Sequence, residues 1–115
     1  MYELRSREEF IRALIGNEVV FIEFYEPGNK ESEIFSEAVK RLEKTIDPSI
    51  LVCRINIKEH PEIVEYNGVP SLRVYYNRNA VFEQIGGLST IELNLSVLRR
   101  GIREVFKMYN IKLRV

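Results

Sequence analysis

Apolar and polar positions alternate in blocks that predict a central sheet. The segment 19–25 is apolar almost throughout, which is typical of a strand covered on both faces. Shorter apolar runs at 50–57, 70–76 and 81–85 predict three further strands, and residues 77–79 predict a hairpin turn between the last two. The chain is therefore expected to build one four-stranded sheet.

Helical periodicity fills the intervals between these strands. The first helix begins at Ser6, which forms a capping box with Glu9. We expect Phe10, Ile11 and Leu14 to face the core, because they recur at the spacing of one helix face.

Three more helices follow from the same periodicity. One spans 31–46 and a short one spans 61–66. The closing helix begins at a capping box of Ser89 and Glu92 and carries a continuous apolar stripe. The last residues, 111–115, alternate apolar and charged side chains and predict a short edge strand.

The predicted order is α-β-α-β-α-β-β-α plus the short C-terminal strand. A β-α-β unit with a right-handed crossover, followed by a hairpin and a closing helix, gives a mixed sheet flanked by helices. The 115 residues have the length of one domain, 1–115. Its core is expected over about 5–105, with an extended closing helix and tail over 89–115.

Composition is that of an ordinary globular protein. Apolar residues make up 45%, and the N-terminus lacks the apolar core of a signal peptide. No apolar run reaches the roughly 18 residues that a membrane span needs. Cys53 is the only cysteine, so no internal disulfide can form. We therefore expect a cytoplasmic, reduced protein without a membrane segment.

Charge is balanced overall but unevenly distributed. Residues 1–47 hold 11 acidic and 7 basic side chains, whereas residues 94–115 hold six basic ones and one acidic one. The basic patch on the closing helix comprises Arg99, Arg100, Arg103 and Lys107. Such a patch suits an acidic protein or a nucleic acid, or it is a solvated face that complements the helix dipole. The solvated face is favoured over both kinds of acidic partner, since no aromatic stacking platform or base-reading motif accompanies the patch.

Four segments in the expected order resemble the thioredoxin-like fold family. They are Phe21–Tyr25, Asn56–Pro61, Gly68–Tyr76 and Ile85–Ser89. In that family they correspond to the central strand before the active-site turn, a strand end with its following helix, the cis-proline loop, and the entry to the last helix. The resemblance implies a three-layer α/β/α sandwich with a central mixed sheet.

The resemblance also indicates what this chain lacks. Aligned without gaps from Phe24, Asn29 falls on the family's nucleophilic cysteine and Ser32 on its resolving cysteine. Disulfide exchange needs a thiolate, which neither an amide nor an unactivated hydroxyl replaces. By residue type, Asn29 is a good helix N-cap and Ser32 fits the third helical position. We therefore expect a member of the fold without the Cys-x-x-Cys motif.

The leading hypothesis is a redox-inactive module that binds another protein or peptide and needs no cofactor. In the family the corresponding X-Pro bond is cis, and its backbone groups pair with an extended substrate, which implies a peptide groove at Val69-Pro70. The groove candidates are Tyr25, Asn29, Ser32, Val69, Pro70 and Gly86. Binding would use this groove, the closing helix, or both.

A rival hypothesis is a redox protein that works through Cys53 alone. Cys53 alternates with apolar neighbours, so we expect inert packing in the core. The resemblance implies a buried carboxylate at Glu23 with Arg54 as its basic neighbour, in a structural ion pair. The pKa of Glu23 rises if burial dominates and falls if Arg54 is close. His60 lacks a second ligand at a suitable spacing, so no metal site is predicted.

The closing helix also predicts self-association. Leu93, Val97, Phe106 and Met108 widen its apolar arc beyond one stripe. The alternating tail 111–115 could join a sheet edge or pair with another copy. A homodimer is therefore a further expectation.

Overall fold

The computed structural model describes every residue from Met1 to Val115 and contains five strands and three helices. In chain order the elements are β1 (Tyr2–Glu3), α1 (Arg7–Gly16), β2 (Val19–Tyr25), α2 (Lys30–Glu43), β3 (Leu51–Asn56), β4 (Ser71–Tyr76), β5 (Asn79–Ile85) and α3 (Ile91–Met108). None of the helices combines the length and the apolar character needed to cross a bilayer.

The five strands form one mixed sheet in the order β1-β3-β2-β4-β5. β1 and β2 run parallel to β3, whereas β4 is antiparallel to β2 and β5 is antiparallel to β4. The central strand β2 has six buried residues out of seven, because α1 covers one face of the sheet and α2 and α3 cover the other. This three-layer arrangement confirms the predicted fold class.

Alternation along β2 divides its side chains between two apolar cores. Phe21 points toward α2 and α3, where its ring meets Phe106 edge to face with centroids 6.5 Å apart. Phe24 points to the α1 side and stacks on Tyr66 at 5.8 Å. Because β2 is anchored on both faces, the loop that follows Tyr25 leaves from a rigid strand.

The first two helices differ slightly from the prediction. Ser6 is the N-cap of α1 as predicted, but Ile11 is 43% exposed and Ala13 takes its place in the core. A residue directly after Phe10 lies about 100° around the helix, and in α1 that direction faces solvent. α2 ends at Glu43, three residues earlier than predicted.

α3 begins one residue later than its predicted capping box. Thr90 is the N-cap, and its Oγ1 accepts from the Leu93 backbone N–H at 3.1 Å, so Ser89 does not form the predicted cap. Phe106 was predicted to widen an exposed arc, but it is only 4% exposed. Leu93 and Met108 of that arc are exposed.

The segment 61–66 is a series of turns, and the predicted short helix is wrong. A helix would offer the Ile63 carbonyl to the N–H four residues later. That carbonyl instead accepts from Arg7 Nη1 at 2.8 Å, and Tyr66 stacks on Phe24. Contacts with α1 and β2 therefore fix this segment in a non-helical course.

The strand β1 was not predicted. It adds two residues beside β3, with Tyr2 opposite Cys53 and Glu3 opposite Arg54. Two residues are too short for a period-2 pattern to emerge from the sequence. The observed order therefore begins with a strand rather than with a helix.

The tail 111–115 is not the predicted edge strand. Ile111 and Val115 are buried in the core formed with α2 and α3, and the Arg114 carbonyl accepts from the Asp47 N–H at 2.8 Å. The prediction is wrong because the apolar residues of the tail close the end of this core instead of joining the sheet.

Candidate functional site

Three loops meet at one edge of the sheet. β2, β3 and β5 end at this edge and β4 begins there, as the parallel and antiparallel pairings require. The loops are 26–29, 57–70 and 86–90. All the predicted groove residues lie in these loops or directly beside them.

Asn29 and Ser32 are both engaged in starting α2. Asn29 Oδ1 accepts from the Ser32 backbone N–H at 3.0 Å, the capping role expected from the residue types. Ser32 Oγ accepts from the Glu26 N–H at 3.0 Å, and Ser32 is only 1% exposed. The only histidine, His60, lies in the loop 57–70, where it contacts two glutamates of the same loop. Ser32 therefore lacks the adjacent histidine that activates a serine nucleophile.

The Val69–Pro70 peptide bond is cis. The backbone N–H and C=O of Val69 have no hydrogen-bond partner within the chain, whereas the Pro70 carbonyl accepts from the Gly86 N–H at 2.8 Å. Gly86 has a φ of +86°, a conformation that residues with a side chain rarely adopt, so this close turn over Pro70 requires glycine. The chain itself therefore uses neither of these two groups of Val69.

Two contacts hold the neighbouring loops together. Glu31 Oε2 accepts from the Gly87 N–H at 2.6 Å, which ties the start of α2 to the loop after β5. Ile85 lies so close to Gly68 that a Cβ there would be 2.7 Å from Ile85 Cγ2. Ile85 and Leu88 are 50% and 40% exposed. We call the following five residues the cis-proline surface: Val69, Pro70, Ile85, Gly86 and Leu88.

Tyr25 faces away from the cis-proline surface. Its hydroxyl donates to Glu3 Oε2 at 2.8 Å, and the Arg54 guanidinium lies 3.6 Å from its ring centre, so the side chain is turned toward β1 and β3. Burial and the contact with Glu3 raise the pKa of Tyr25 to about 12. Tyr25 and Ser32 line a separate cleft of about 260 Å³. Asn29 begins the helix whose Glu31 reaches the cis-proline loops.

Glu23 is a fully buried carboxylate in β2. The strand register places it opposite Arg54, whose Nε lies 3.5 Å from Glu23 Oε1 without a hydrogen bond. The Ser36 hydroxyl donates to the other carboxylate oxygen. Burial raises the pKa of Glu23 to about 7, and the nearby Glu3 adds to this rise, although Ser36 and Arg54 lower it. Burial therefore outweighs the ion pair.

Cys53 lies in the core on the α1 side of the sheet and is completely buried. Burial raises the pKa of its thiol to about 12. At neutral pH the thiolate is then on the order of one molecule in 100,000. Cys53 offers no nucleophile at the protein surface.

The basic residues of α3 lie in its C-terminal half. They surround a shallow cavity of about 560 Å³, whose lining includes Arg99, Arg100, Arg103 and Lys107. Arg99 donates to the Thr45 hydroxyl, and Arg103 Nε donates to the Val115 carbonyl at 2.8 Å. The predicted basic patch is therefore one continuous stripe.

Sequence reasoning missed two contacts near the site. Arg73 in β4 is buried and donates from Nε to Glu83 Oε2 at 2.9 Å. A signal existed, since a basic and an acidic residue interrupt two neighbouring apolar strands. The contact between Glu31 and Gly87 joins residues 56 positions apart and left no such signal.

Comparison with known proteins identifies the fold. No family model and no curated protein sequence matches the chain. Solved thioredoxin structures do match it. Thioredoxin from Plasmodium falciparum is 19% identical with a TM-score of 0.77, over 90% of this chain and 98% of that chain. Thioredoxin from Fasciola hepatica is 16% identical with a TM-score of 0.77, over 90% and 98%. Mitochondrial thioredoxin 3 from Saccharomyces cerevisiae is 18% identical with a TM-score of 0.74, over 90% and 94%.

The protein therefore has the thioredoxin fold, with a single cysteine and no Cys-x-x-Cys motif. Identities this low establish the fold alone.

Proposed function

We propose that this protein is a redox-inactive thioredoxin-fold module that binds an extended segment of another protein at the cis-proline surface. The observation that carries the proposal is the pair of free backbone groups on Val69, beside the cis bond. An extended segment can satisfy the N–H and the C=O together, as an added strand does at a sheet edge.

Exposed apolar side chains at the end of β5 and in the loop after it favour the same partner. Ile85 packs close to Gly68, which precedes Val69, and Ile85 and Leu88 are 50% and 40% exposed although both are large apolar residues. Alternate side chains of an extended segment would cover them. Main-chain pairing would supply affinity, and the apolar contacts would supply specificity.

The surface is held in place before any partner arrives. The bond from Gly86 to Pro70 and the bond from Gly87 to Glu31 fix the loop after β5 against its neighbours. A preorganised surface loses little conformational entropy on binding, so a small contact area suffices for measurable affinity.

The proposal is tested by peptide selection followed by mapping. Peptides selected from a random display library on the folded protein should shift the NMR amide signals of Val69, Ile85 and Leu88. Leu88→Glu should weaken the selected peptide by about tenfold, because a carboxylate would have to be desolvated at the contact. Ile15→Glu is the matched control, since Ile15 is 58% exposed on α1, and it should leave affinity unchanged.

Backbone pairing has its own test on the peptide. Methylating the peptide nitrogen that donates to Val69 should abolish binding, whereas methylating the next nitrogen along, which faces away, should not. Binding that tolerates methylation at every position, or a footprint that avoids Val69, would contradict the proposed mode.

The redox-inactive part of the proposal rests on the buried thiol of Cys53. A thiol probe should label Cys53 only after denaturant is added, and the protein should not reduce insulin disulfides. Rapid labelling of the native protein would instead support the rival redox function through Cys53. We also propose a reducing, cytoplasmic location, where a lone thiol persists without a disulfide.

A further inference from the structure

We infer that the basic stripe of α3 is a separate docking site for a short acidic polypeptide segment that carries an apolar residue. The stripe comprises Arg99, Arg100, Arg103 and Lys107. This inference does not depend on the proposed function, because the cis-proline surface lies at the N-terminal end of α3 and the stripe occupies the C-terminal half of the helix.

The stripe presents charges that the chain itself does not neutralise. Arg100 and Lys107 are exposed and make no ion pair or side-chain hydrogen bond with any residue. Arg103 donates one hydrogen bond, from Nε to the Val115 carbonyl. Its two terminal guanidinium nitrogens are therefore free. Spacings of three and four residues put Arg100, Arg103 and Lys107 on one helix face, over about 10 Å.

Only two acidic side chains line the basic cavity, against four basic ones. Glu104 is the only acidic residue within 94–115, and Glu92 is already bound by Arg41 at 3.2 Å. The whole chain is formally neutral, so this local excess of positive charge is a segregated feature and not a consequence of composition.

An apolar cavity adjoins the stripe and determines what else the partner must carry. The cavity has a volume of about 350 Å³ and is lined by Phe106, Ile111 and Leu113. Arg103 and Lys107 line both this cavity and the basic one, so the two cavities are neighbours. A segment with carboxylates at helical spacing and one apolar side chain complements both parts.

A polypeptide fits this face better than a nucleic acid does. The stripe is short, and outside residues 94–115 the chain carries five more acidic than basic side chains, which would repel a longer polyanion. No row of aromatic side chains for base stacking accompanies the stripe, and Tyr109, just beyond α3, already packs edge to face on Tyr76 at 5.9 Å.

The test uses labelled probes and the full-length protein in fluorescence anisotropy. The probe is a helical peptide of about twelve residues with glutamates at i and i+4 and one leucine. Its two matched versions replace the glutamates by glutamine or the leucine by serine. An oligo-dT of similar negative charge represents nucleic acid. The acidic peptide should bind, and both altered peptides should bind at least about fivefold more weakly.

Paired variants locate the site. The double variant Arg100→Gln/Lys107→Gln should weaken the acidic peptide by about tenfold without changing thermal unfolding, because neither side chain makes an intramolecular bond. The control Arg12→Gln/Lys58→Gln removes the same two charge types from exposed positions elsewhere and should change affinity less than about twofold.

Four results would overturn the inference. The first is that the acidic peptide does not bind at a protein concentration of about 1 mM, which would mean that the Kd is weaker than about 1 mM. The second is equal binding of the glutamine or serine version. The third is an oligo-dT that binds as tightly as the peptide. The fourth is a protein dimer that forms through Arg100 and Lys107, which would assign the face to a second copy.

Discussion

The carboxylate of Glu23 stands at the centre of a chain of polar contacts that runs from Glu3 through Tyr25 and Arg54 to Ser36. These side chains join β1, β2, β3 and α2. A buried charge pair of this kind adds little net stability, but removing one partner is costly. This chain has no dithiol for the network to serve. The network instead holds together β1, β2, β3 and α2, and β2 and β3 lead into the loops 26–29 and 57–70.

Replacing Glu23 by glutamine should change how stability depends on pH. The carboxyl has a pKa of about 7 when folded and 4.5 as a reference value, so between these values the folded protein keeps a proton that the unfolded chain releases. The stability that the protonated Glu23 carboxyl contributes is therefore complete below pH 4.5 and is lost as pH rises through 7. We compare the free energies of unfolding of wild type and Glu23→Gln. Their difference, wild type minus variant, should fall by about 3 kcal/mol between about pH 4 and pH 8.

Urea unfolding at several pH values measures this difference. Glu33→Gln is the control for removing a carboxylate, because Glu33 is exposed and forms no ion pair. If the free energies of unfolding of wild type and Glu23→Gln changed in parallel with pH, burial would not raise the pKa of Glu23.

Several side-chain positions followed from simple rules, and others did not. The cap at Asn29 follows from residue preference, and the burial of Cys53 follows from its place in an alternating strand. Tyr25 is two residues from Glu23, so alternation puts both on one face, and a stricter use of that rule would have paired Tyr25 with Arg54. The free backbone of Val69 depends on the course of the whole loop, which residue preferences do not encode.

At the scale of elements, the strands were more predictable than the connections. β2 has the predicted bounds because six of its seven residues are apolar, a pattern that is typical of a strand covered on both faces. The segment 61–66 carries a plausible helix start at Pro61, yet Arg7 takes the carbonyl that the helix would use. If the strands β4 and β5 paired regularly from the hairpin turn, Arg73 would lie opposite Phe82. A bulge at Val74/Tyr75 changes the register, so that Arg73 lies opposite Glu83.

The turn between β4 and β5 offers a prediction at this scale. Asn77 and Arg78 have φ values of +48° and +71°, the requirement of a type I′ turn, and the flanking register leaves these two residues as the loop. Asn accepts this conformation readily, whereas Arg does not. Arg78→Gly should therefore raise the free energy of unfolding by about 1 kcal/mol.

Chemical denaturation of the two proteins measures the gain. Asn79→Gly is the comparison, since Asn79 already belongs to β5 and glycine should weaken the strand there. If Arg78→Gly were less stable than wild type, the side chain of Arg78 would have to make a stabilising contact that outweighs its backbone strain.

For the whole molecule, the two proposed surfaces lie toward opposite ends of α3 in a formally neutral protein. The apolar arc on which the predicted homodimer was based is narrower than expected, because Phe106 is buried and Leu93 and Met108 lie about 22 Å apart along α3. Two separated side chains do not form the apolar patch that a stable dimer needs. The dimer stays a prediction, and light scattering at high protein concentration would decide it.

The tail 111–115 supplies the last prediction, because its packing links α2, α3 and the sheet in one core. Ile111 and Val115 are both under 10% exposed, and the Arg114 guanidinium donates to the Thr45 carbonyl at 2.9 Å. Deleting the tail should lower the free energy of unfolding by about 3–5 kcal/mol, the value of two buried aliphatic side chains. Lys112→Ala should have almost no effect, since Lys112 is exposed. An equally stable truncated protein in urea unfolding would mean that α3 closes this core without the tail, and the alternating pattern of 111–115 would then need a partner outside the domain to explain it.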